Sequence, residues 1–502
     1  MSFTCEILNG ICRLLYRGEY RRFSADCDVE QVQRDHLMKL LKKNSDTVYG
    51  RKFGFENIRS YEDFAECVPL TVYEDYEPYI EAAARGEKRV LTKEKIRLFE
   101  LTSGSSGGKK LIPYTKSLKR EFQNGIKPWL YDIYSSVKGV CGGKSYWSIT
   151  PVTEGKSYTE GGIPVGFEED SEYFGFIAQM LMKKLFAVDG SVKFSDSTED
   201  FYFRTCEKLL DCGELTLISV WSPSFLAILC DFIRDNADRL FDSSDPRKKF
   251  AEENNFSGVF PDLKIISCWA DGSAAEHIHG IENRFGDVFI QPKGLLATEC
   301  FVSFPLTGES GGRLSIYSHF FEFRSLENGR IYTAGNLKRG EYELIVTTGG
   351  GFYRYCIGDI VEVMETYPSR PPLIRFLRRK GASCDLFGEK LTEDFVRNIL
   401  KKLGISESFC LLAPEGNRYR LYTQAEGITD EMLDNALCEG YHYSYCRKLG
   451  QLERAEVVTV AGAPQNDYIK RLAAEGLRIG DIKPAFLTSR SGWENTFNPN
   501  LQ

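Results

Sequence analysis

The chain has 502 residues, 42% hydrophobic and 27% charged, the balance of a globular protein with ample core and two or three domains. Its 64 basic against 71 acidic residues leave a net charge of −7, so no overall basic field exists to draw in nucleic acid. Fifteen cysteines, odd in number and without a C-x-x-C pair, read as reduced thiols, and five scattered histidines spell out no zinc site.

In chain order, Asp28 with Gln31 resembles a capping box, and Val29, Val32, Leu37, Leu40 and Leu41 then share one helical face as far as Asn44. Residues 61–68 repeat the helical pattern before Pro69. Residues 96–101 read as a strand. They run into Thr102-Ser103-Gly104-Ser105-Ser106-Gly107-Gly108-Lys109-Lys110, which has almost no apolar surface to bury. Its backbone N–H groups, hydroxyls and two ammonium groups suit an anion. Three readings meet on this segment: a phosphate cradle, a G-x-S-x-G elbow with Ser106 as nucleophile, and a solvated Gly/Ser loop. A Walker A loop fails, because Ser103 stands at the first glycine and Lys110 at the hydroxyl. Thr115 opens a helix with Leu118, Phe122, Ile126, Trp129 and Leu130 on it and Pro128 interrupting it.

Residues 146–166 are loop-rich, and helical patterns return over 173–186 and 200–210. Residues 215–221 read as a buried strand, Ser222-Pro223 as a helix start, and 263–269 as another strand. This alternation is that of α/β folds, which gather ligands at the carboxyl ends of strands. A strand over 343–348 opens onto Gly349-Gly350-Gly351. Pro368, Pro371-Pro372, Arg375 and Arg378-Arg379-Lys380 mark the best boundary in the chain. Beyond it Thr392 caps a helix, a hairpin turns at residues 414–417, a helix starts at Thr429 and residues 456–460 form a strand. That is a separate α/β domain of about 120 residues.

Two further segments carry candidate chemistry. Residues 295–300 end an apolar run in Thr298 and Glu299; a hard cation such as Mg²⁺ prefers carboxylate and phosphate oxygens. Gly358-Asp359 places a carboxylate after a tight turn, where it can accept both hydroxyls of a ribose. Taken singly, Glu299 reads as a solvated strand end and Asp359 as a turn residue.

Order and spacing together change that. The chain resembles the adenylate-forming superfamily, and within it the auxin-responsive, Gretchen Hagen-type acyl-acid amido synthetases and their bacterial relatives. Residues 102–110 are similar to T-S-G-[ST]-[ST]-G-x-x-K, Ala297-Thr298-Glu299 to x-[ST]-E, Tyr353-Arg354-Tyr355-Cys356-Ile357-Gly358-Asp359 to Y-R-x-x-x-G-D, and Phe376-Leu377-Arg378-Arg379-Lys380 to the family's hinge. Leu295 departs from the pattern, which often has Tyr there.

The resemblance implies an α/β protein with a large multi-sheet N-terminal domain, residues 1–376, a hinge at 377–381, and a small mobile α/β domain, residues 382–502. It implies ATP and Mg²⁺ as cofactors. Ser103, Gly104, Ser105, Ser106, Gly107 and Lys110 would hold phosphates, Thr298 the α-phosphate, Glu299 the metal, Asp359 the ribose, and Arg378 the ribose or a phosphate. Lys390, with Lys483 as rival, would be the small-domain catalytic lysine beside Thr298 and Glu299. The implied activity joins a small carboxylic acid, activated as acyl-adenylate, to an amine, an amino acid by preference. The alternatives are an acyl-CoA ligase, a serine hydrolase pairing Ser106 with His319 or His442, and a non-catalytic nucleotide binder. Phe122, Ile126, Trp129, Trp221, Ser224 and Phe225 are candidates for the acid pocket by position. With no signal peptide and no run of about 18 apolar residues, the expected location is the cytoplasm, with neither membrane nor nucleic-acid partners.

Overall fold

The computed structural model describes residues 2–103, 109–148, 157–166, 184–195, 197–367, 369–380, 383–387, 389, 391–475, 477 and 482–497. The chain forms two compact units: Met1–Trp221, Leu229–Asp271 and Glu282–Leu377 in the first, Ser222–Ile228, Gly272–Ile281 and Arg378–Gln502 in the second. Among the described residues no helix is long and apolar enough to cross a membrane. None of the fifteen cysteines is joined in a disulfide.

The first unit begins with helices α1 (Phe3–Ser24) and α2 (Val29–Asn44); the Asp28 carboxylate accepts the Gln31 N–H and so caps α2. Strands β1 (Leu98–Ser103) and β2 (Lys109–Tyr114) pair antiparallel, with Ser103 opposite Lys109. Residues 104–108, between the paired strands, lie outside the described residues. The Thr115 hydroxyl accepts the Leu118 N–H and starts α3 (Lys116–Ser136). Contrary to the sequence expectation, Pro128 does not interrupt α3. Ile126, Trp129, Leu130 and Ile133 are buried around it, and that burial outweighs the one backbone hydrogen bond the ring removes.

Behind the hairpin lies a parallel four-stranded sheet, ordered β3 (Lys144–Trp147), β4 (Leu215–Ser219), β5 (Ile265–Cys268) and β6 (Phe289–Pro292). Every residue of β4 and β5 is buried, which is why both read as unbroken apolar runs. Both are shorter than their patterns suggested. The helix expected over 173–186 lies largely outside the described residues.

A second sheet of seven strands runs through β7 (Phe320–Ser325), β8 (Gly340–Thr347), β9 (Tyr355–Tyr367) and β10 (Arg370–Arg379) as successive neighbours. Ile331–Thr333 lies beyond β7, and Gly312–Leu314 then Ser303–Pro305 lie beyond β10. The proline-rich, basic passage that marks the expected boundary forms the strand β10. Its pairing with Gly312–Leu314 begins at Leu373, past both prolines, so on that side neither is asked for an N–H.

The second unit has its own core around Val396, Leu400, Leu412, Leu421, Leu433 and Leu437. Thr392 caps the helix Glu393–Lys402, the hairpin Cys410–Glu415/Arg418–Thr423 turns at Gly416 with φ +64°, and Glu456–Thr459 adds in parallel.

Gly125 of α3 faces the ring of Phe301, and a Cβ there would stand 2.2 Å from it. In a free helix Gly→Ala stabilises by about 1 kcal/mol. Here overpacking against a buried ring costs about 1–3 kcal/mol. Gly125→Ala is therefore expected to lower the chemical-denaturation midpoint; a raised midpoint would show that Phe301 yields freely.

Candidate active site

The site grows from the β1–β2 hairpin. Lys110, on β2, is largely buried; its Nζ sits 4.9 Å from the Tyr73 ring centroid and 3.8 Å from Glu74 Oε1. The Tyr73 hydroxyl accepts the Leu111 N–H at 2.7 Å and donates to the Leu111 carbonyl at 3.3 Å, which ties that ring to β2. Burial pushes the Tyr73 phenol up to about 12, and the neighbouring carboxylates Glu77, Glu299 and Glu74 add to the shift. The charge of Glu299 is therefore felt at the ring on which Lys110 sits. Gly104, Ser105, Ser106 and Gly107 lie outside the described residues, and Ser103 is described in its backbone alone.

Thr298 and Glu299 occupy a tight turn rather than the end of a strand: Ala297 and Cys300 exchange backbone hydrogen bonds of 2.9 and 3.2 Å across them. Such a turn lifts two adjacent side chains out of pairing. The Tyr114 hydroxyl, at the end of β2, donates to the Thr298 carbonyl at 2.9 Å and ties the turn to the hairpin. Glu299 is buried, with the Tyr355 hydroxyl 3.5 Å from its Oε1.

Asp359 lies on β9 behind Gly358, whose φ of +81° is open to glycine at little cost, and it too is buried. The thiol of Cys300 is raised well above its ordinary value, first by burial and then by the charges of Glu299, Asp359 and Glu121. One buried point thus feels both candidate carboxylates. Tyr114 thus joins the hairpin that carries Lys110 to the turn that carries Glu299, and Tyr355 sets Glu299 beside the strand that carries Asp359. The motif's Arg354 plays a different part. It takes a left-handed φ of +51° and clamps Glu322 at 2.9–3.1 Å, while donating to the carbonyls of Ala65 and Val68. It anchors the strand that carries Asp359.

Glu121, on α3, was not foreseen. Both its oxygens accept the Gly349 N–H, at 3.0 and 2.8 Å, and its Oε2 lies 2.9 Å from His319 Nδ1. His36 Nε2 approaches to 3.6 Å. On the far side of the imidazole, His319 Nε2 accepts the Phe301 N–H at 2.9 Å. That bond fixes the neutral tautomer with its proton on Nδ1, facing the carboxylate. Burial pulls His319 below its ordinary value. Burial alone would push Glu121 upward, but His319 and His36 outweigh it and hold the carboxyl at about 2. The only textual signal was a charge on the apolar face shared by Leu118, Phe122 and Gly125.

Lys293 is a second unforeseen residue. It follows β6, nearly buried, and its Nζ donates to Ser219 Oγ at 2.8 Å under the rings of Trp221 (4.3 Å), Trp129 (5.5 Å) and Trp147 (5.7 Å). Trp129 and Trp221 of the expected pocket thus meet at the carboxyl edge of the parallel sheet. Phe122 packs instead into the core against Phe301 and His319, Ile126 is likewise buried, and Ser224 and Phe225 are buried residues of the second unit.

Arg378 is the last residue but one of β10 and is counted with the second unit. Lys390 lies outside the described residues; Lys483 is exposed, and its carbonyl accepts from the Tyr468 hydroxyl at 3.3 Å. His319 is fully buried with its Nε2 lone pair taken by the Phe301 N–H, so it offers a hydrolase no free base, and His442 is exposed in the second unit. No group of three metal-ligating side chains occurs among the described residues. Glu299 instead offers a single hard carboxylate. That suits Mg²⁺, which is commonly held by one or two carboxylates together with substrate phosphates.

The folded-state values of Glu121 and His319 both lie below their ordinary ones, so both favour the fold at neutral pH and lose that contribution as pH falls. For Glu121 the drop from 4.5 to about 2 is worth roughly 3 kcal/mol, lost between those two values. Glu121→Gln should lower stability at pH 7 and flatten the acid slope between about pH 4.5 and 2. An unchanged slope in acid titrations of the denaturation midpoint would place that dependence elsewhere.

Residues 21–243 match the GH3 family N-terminal domain and residues 312–379 the GH3 family central domain. The chain is 24% identical to the indole-3-acetic acid-amido synthetase GH3.3 of Arabidopsis thaliana, over 79% of this chain and 74% of that one. It is 24% identical to the jasmonoyl-L-amino acid synthetase JAR6 of Nicotiana attenuata, over 81% of each. Among solved structures, the GH3.15 acyl acid amido synthetase in complex with 2,4-DB superposes with a TM-score of 0.79 at 19% identity, covering 98% of this chain and 96% of that one. The fold is shared.

Proposed function

This chain belongs to the GH3 family, whose N-terminal and central domains together match more than half of it, and from that premise we propose that it is an ATP-dependent acid–amino acid ligase. The observation that carries the reading is the tie between the hairpin and the Thr298–Glu299 turn, made by Tyr114, with the buried Glu299 beside the Tyr355 hydroxyl of the strand that bears Asp359. In the first half-reaction an acid carboxylate attacks the α-phosphorus of ATP, giving an acyl-adenylate and releasing pyrophosphate. In the second, an amine attacks the acyl carbon, forming the amide bond and releasing AMP and a proton.

Each residue answers a need of that chemistry. Ser103, Gly104, Ser105, Ser106 and Gly107 wrap the phosphates, and Lys110 neutralises charge on them. Thr298 binds the α-phosphate. Glu299 holds Mg²⁺, which neutralises the phosphates when bound. Asp359 accepts the ribose hydroxyls, and Arg378 reaches the ribose or a phosphate. Lys390, ahead of Lys483, contacts the activated carboxyl group. Residues 377–381 act as the hinge on which the small domain, residues 382–502, turns between half-reactions to admit the amine. A water-poor setting supports this. Glu299 and Asp359 are buried, and preorganised donors act most strongly where water is excluded.

The test is carboxylate-dependent ATP–pyrophosphate exchange, with hydroxylamine trapping across a panel of small acids. Lys110→Ala should reduce exchange by about 100-fold or more. Asp359→Ala should raise the KM for ATP by about 10- to 100-fold, the worth of a charged hydrogen bond. Exchange retained by both variants would overturn the site. Product analysis with amino acids and with coenzyme A then separates amide from thioester.

A further inference from the structure

Helix α1 is fastened to the first unit along one side only. Cys5, Asn9, Cys12, Tyr16 and Phe23 are buried there, and the Asn9 amide donates to the carbonyls of Cys141 and Gly143 at 2.9 and 3.0 Å. The opposite side is apolar and faces water: Phe3 is 76% exposed, Leu14 65%, Ile7 47% and Ile11 39%. Ile7, Ile11, Leu14 and Gly18 follow one another at intervals of four, three and four residues, the spacing of a two-helix seam. A contiguous exposed stripe on a rigidly held helix marks an interaction surface.

The pattern of the stripe says what covers it. Set against a second copy of itself in antiparallel order, with the two-fold axis passing between Gly10 and Ile11, the helix matches large residues to small ones. Phe3 meets Gly18, Ile11 meets Gly10, and Ile7 meets Leu14. A Cβ at Gly10 or Gly18 would have nothing within 4 Å in the single chain, so both offer room for a partner's side chain. Charge agrees. At about 100° per residue, the exposed Glu6, Arg13 and Arg17 lie on the same flank of the stripe. Like flanks meet only in an antiparallel pair, and there Glu6 of one copy falls between Arg13 and Arg17 of the other. In a parallel pair that flank would meet Thr4, Leu8 and Leu15. We propose that this face of α1 is a homodimer interface, an antiparallel two-helix seam formed with a second copy of the chain.

The test is the mass of the full chain by sedimentation across a range of concentrations. The wild type should show a monomer–dimer equilibrium. Ile7→Asp combined with Leu14→Asp should raise the dissociation constant by about 100-fold or more, since four aspartates would be buried in the seam. Far-UV circular dichroism and pyrophosphate exchange should stay unchanged, which keeps the loss of the dimer distinct from misfolding and from failure of the ligase reading. Under mild oxidation Ile11→Cys, close to the axis, should cross-link to itself beyond the wild-type background. Phe3→Cys should not, because its two copies would be roughly 22 Å apart. A monomer at every concentration, or a dimer unaffected by the double variant, would overturn the proposal. Equal cross-linking of both cysteine variants would overturn the antiparallel order. Binding to anionic vesicles by a chain that stays monomeric, lost in the double variant, would assign the face to lipid instead.

Discussion

A carboxylate shut away from water is costly unless it finds donors or a compensating charge. Glu121 finds donors, from two other parts of the chain at once. It sits on the helix that follows the hairpin, takes the backbone N–H of Gly349 just ahead of the segment leading to Asp359, and faces His319, whose other nitrogen takes the N–H of Phe301. Phe301 closes the turn that presents Thr298 and Glu299. One side chain therefore ties together the three stretches that carry the candidate chemistry. Because a half-satisfied buried network is worse than none, these bonds stand or fall as a group.

The rest of the first unit elaborates the same device. Tyr114 bonds the turn to the hairpin, Tyr73 bonds β2 and lies under Lys110, and Arg354 with Glu322 locks the root of β9 in a backbone conformation that only a surrounding lattice of bonds would hold. Catalysis by charge neutralisation depends on donors that stand ready before the reaction starts. A site assembled from loops gains that readiness only if their backbones are fixed. Here they are fixed from behind, by side chains that need never touch a nucleotide.

Much of this was legible in the text of the chain. Small and cationic residues behind a strand, a Thr-Glu pair and a Gly-Asp pair are local signatures, and the alternation of strands and helices declared an α/β fold. Caps at Asp28, Thr115, Thr392 and Thr429 were readable because a cap is a bond between near neighbours. Pro128 misled, because tertiary burial decided its setting rather than local propensity. The partnership of Glu121 with His319 spans 198 residues, and no local pattern encodes a pairing at that range. Lys293 was hidden for a related reason: its three tryptophans come from separate stretches and meet only at the edge of the folded sheet.

The central claim is that one nucleotide engages all three stretches, held as a unit by Glu121. Hydrogen–deuterium exchange with and without Mg²⁺ and a non-hydrolysable ATP analogue measures this directly, because it reads each backbone segment separately. Peptides covering residues 101–112, 296–301 and 353–360 should gain protection over the same range of nucleotide concentration in the wild type, and should lose it together in Glu121→Gln. Protection confined to one of the three, or three different saturation midpoints, would contradict a single shared site.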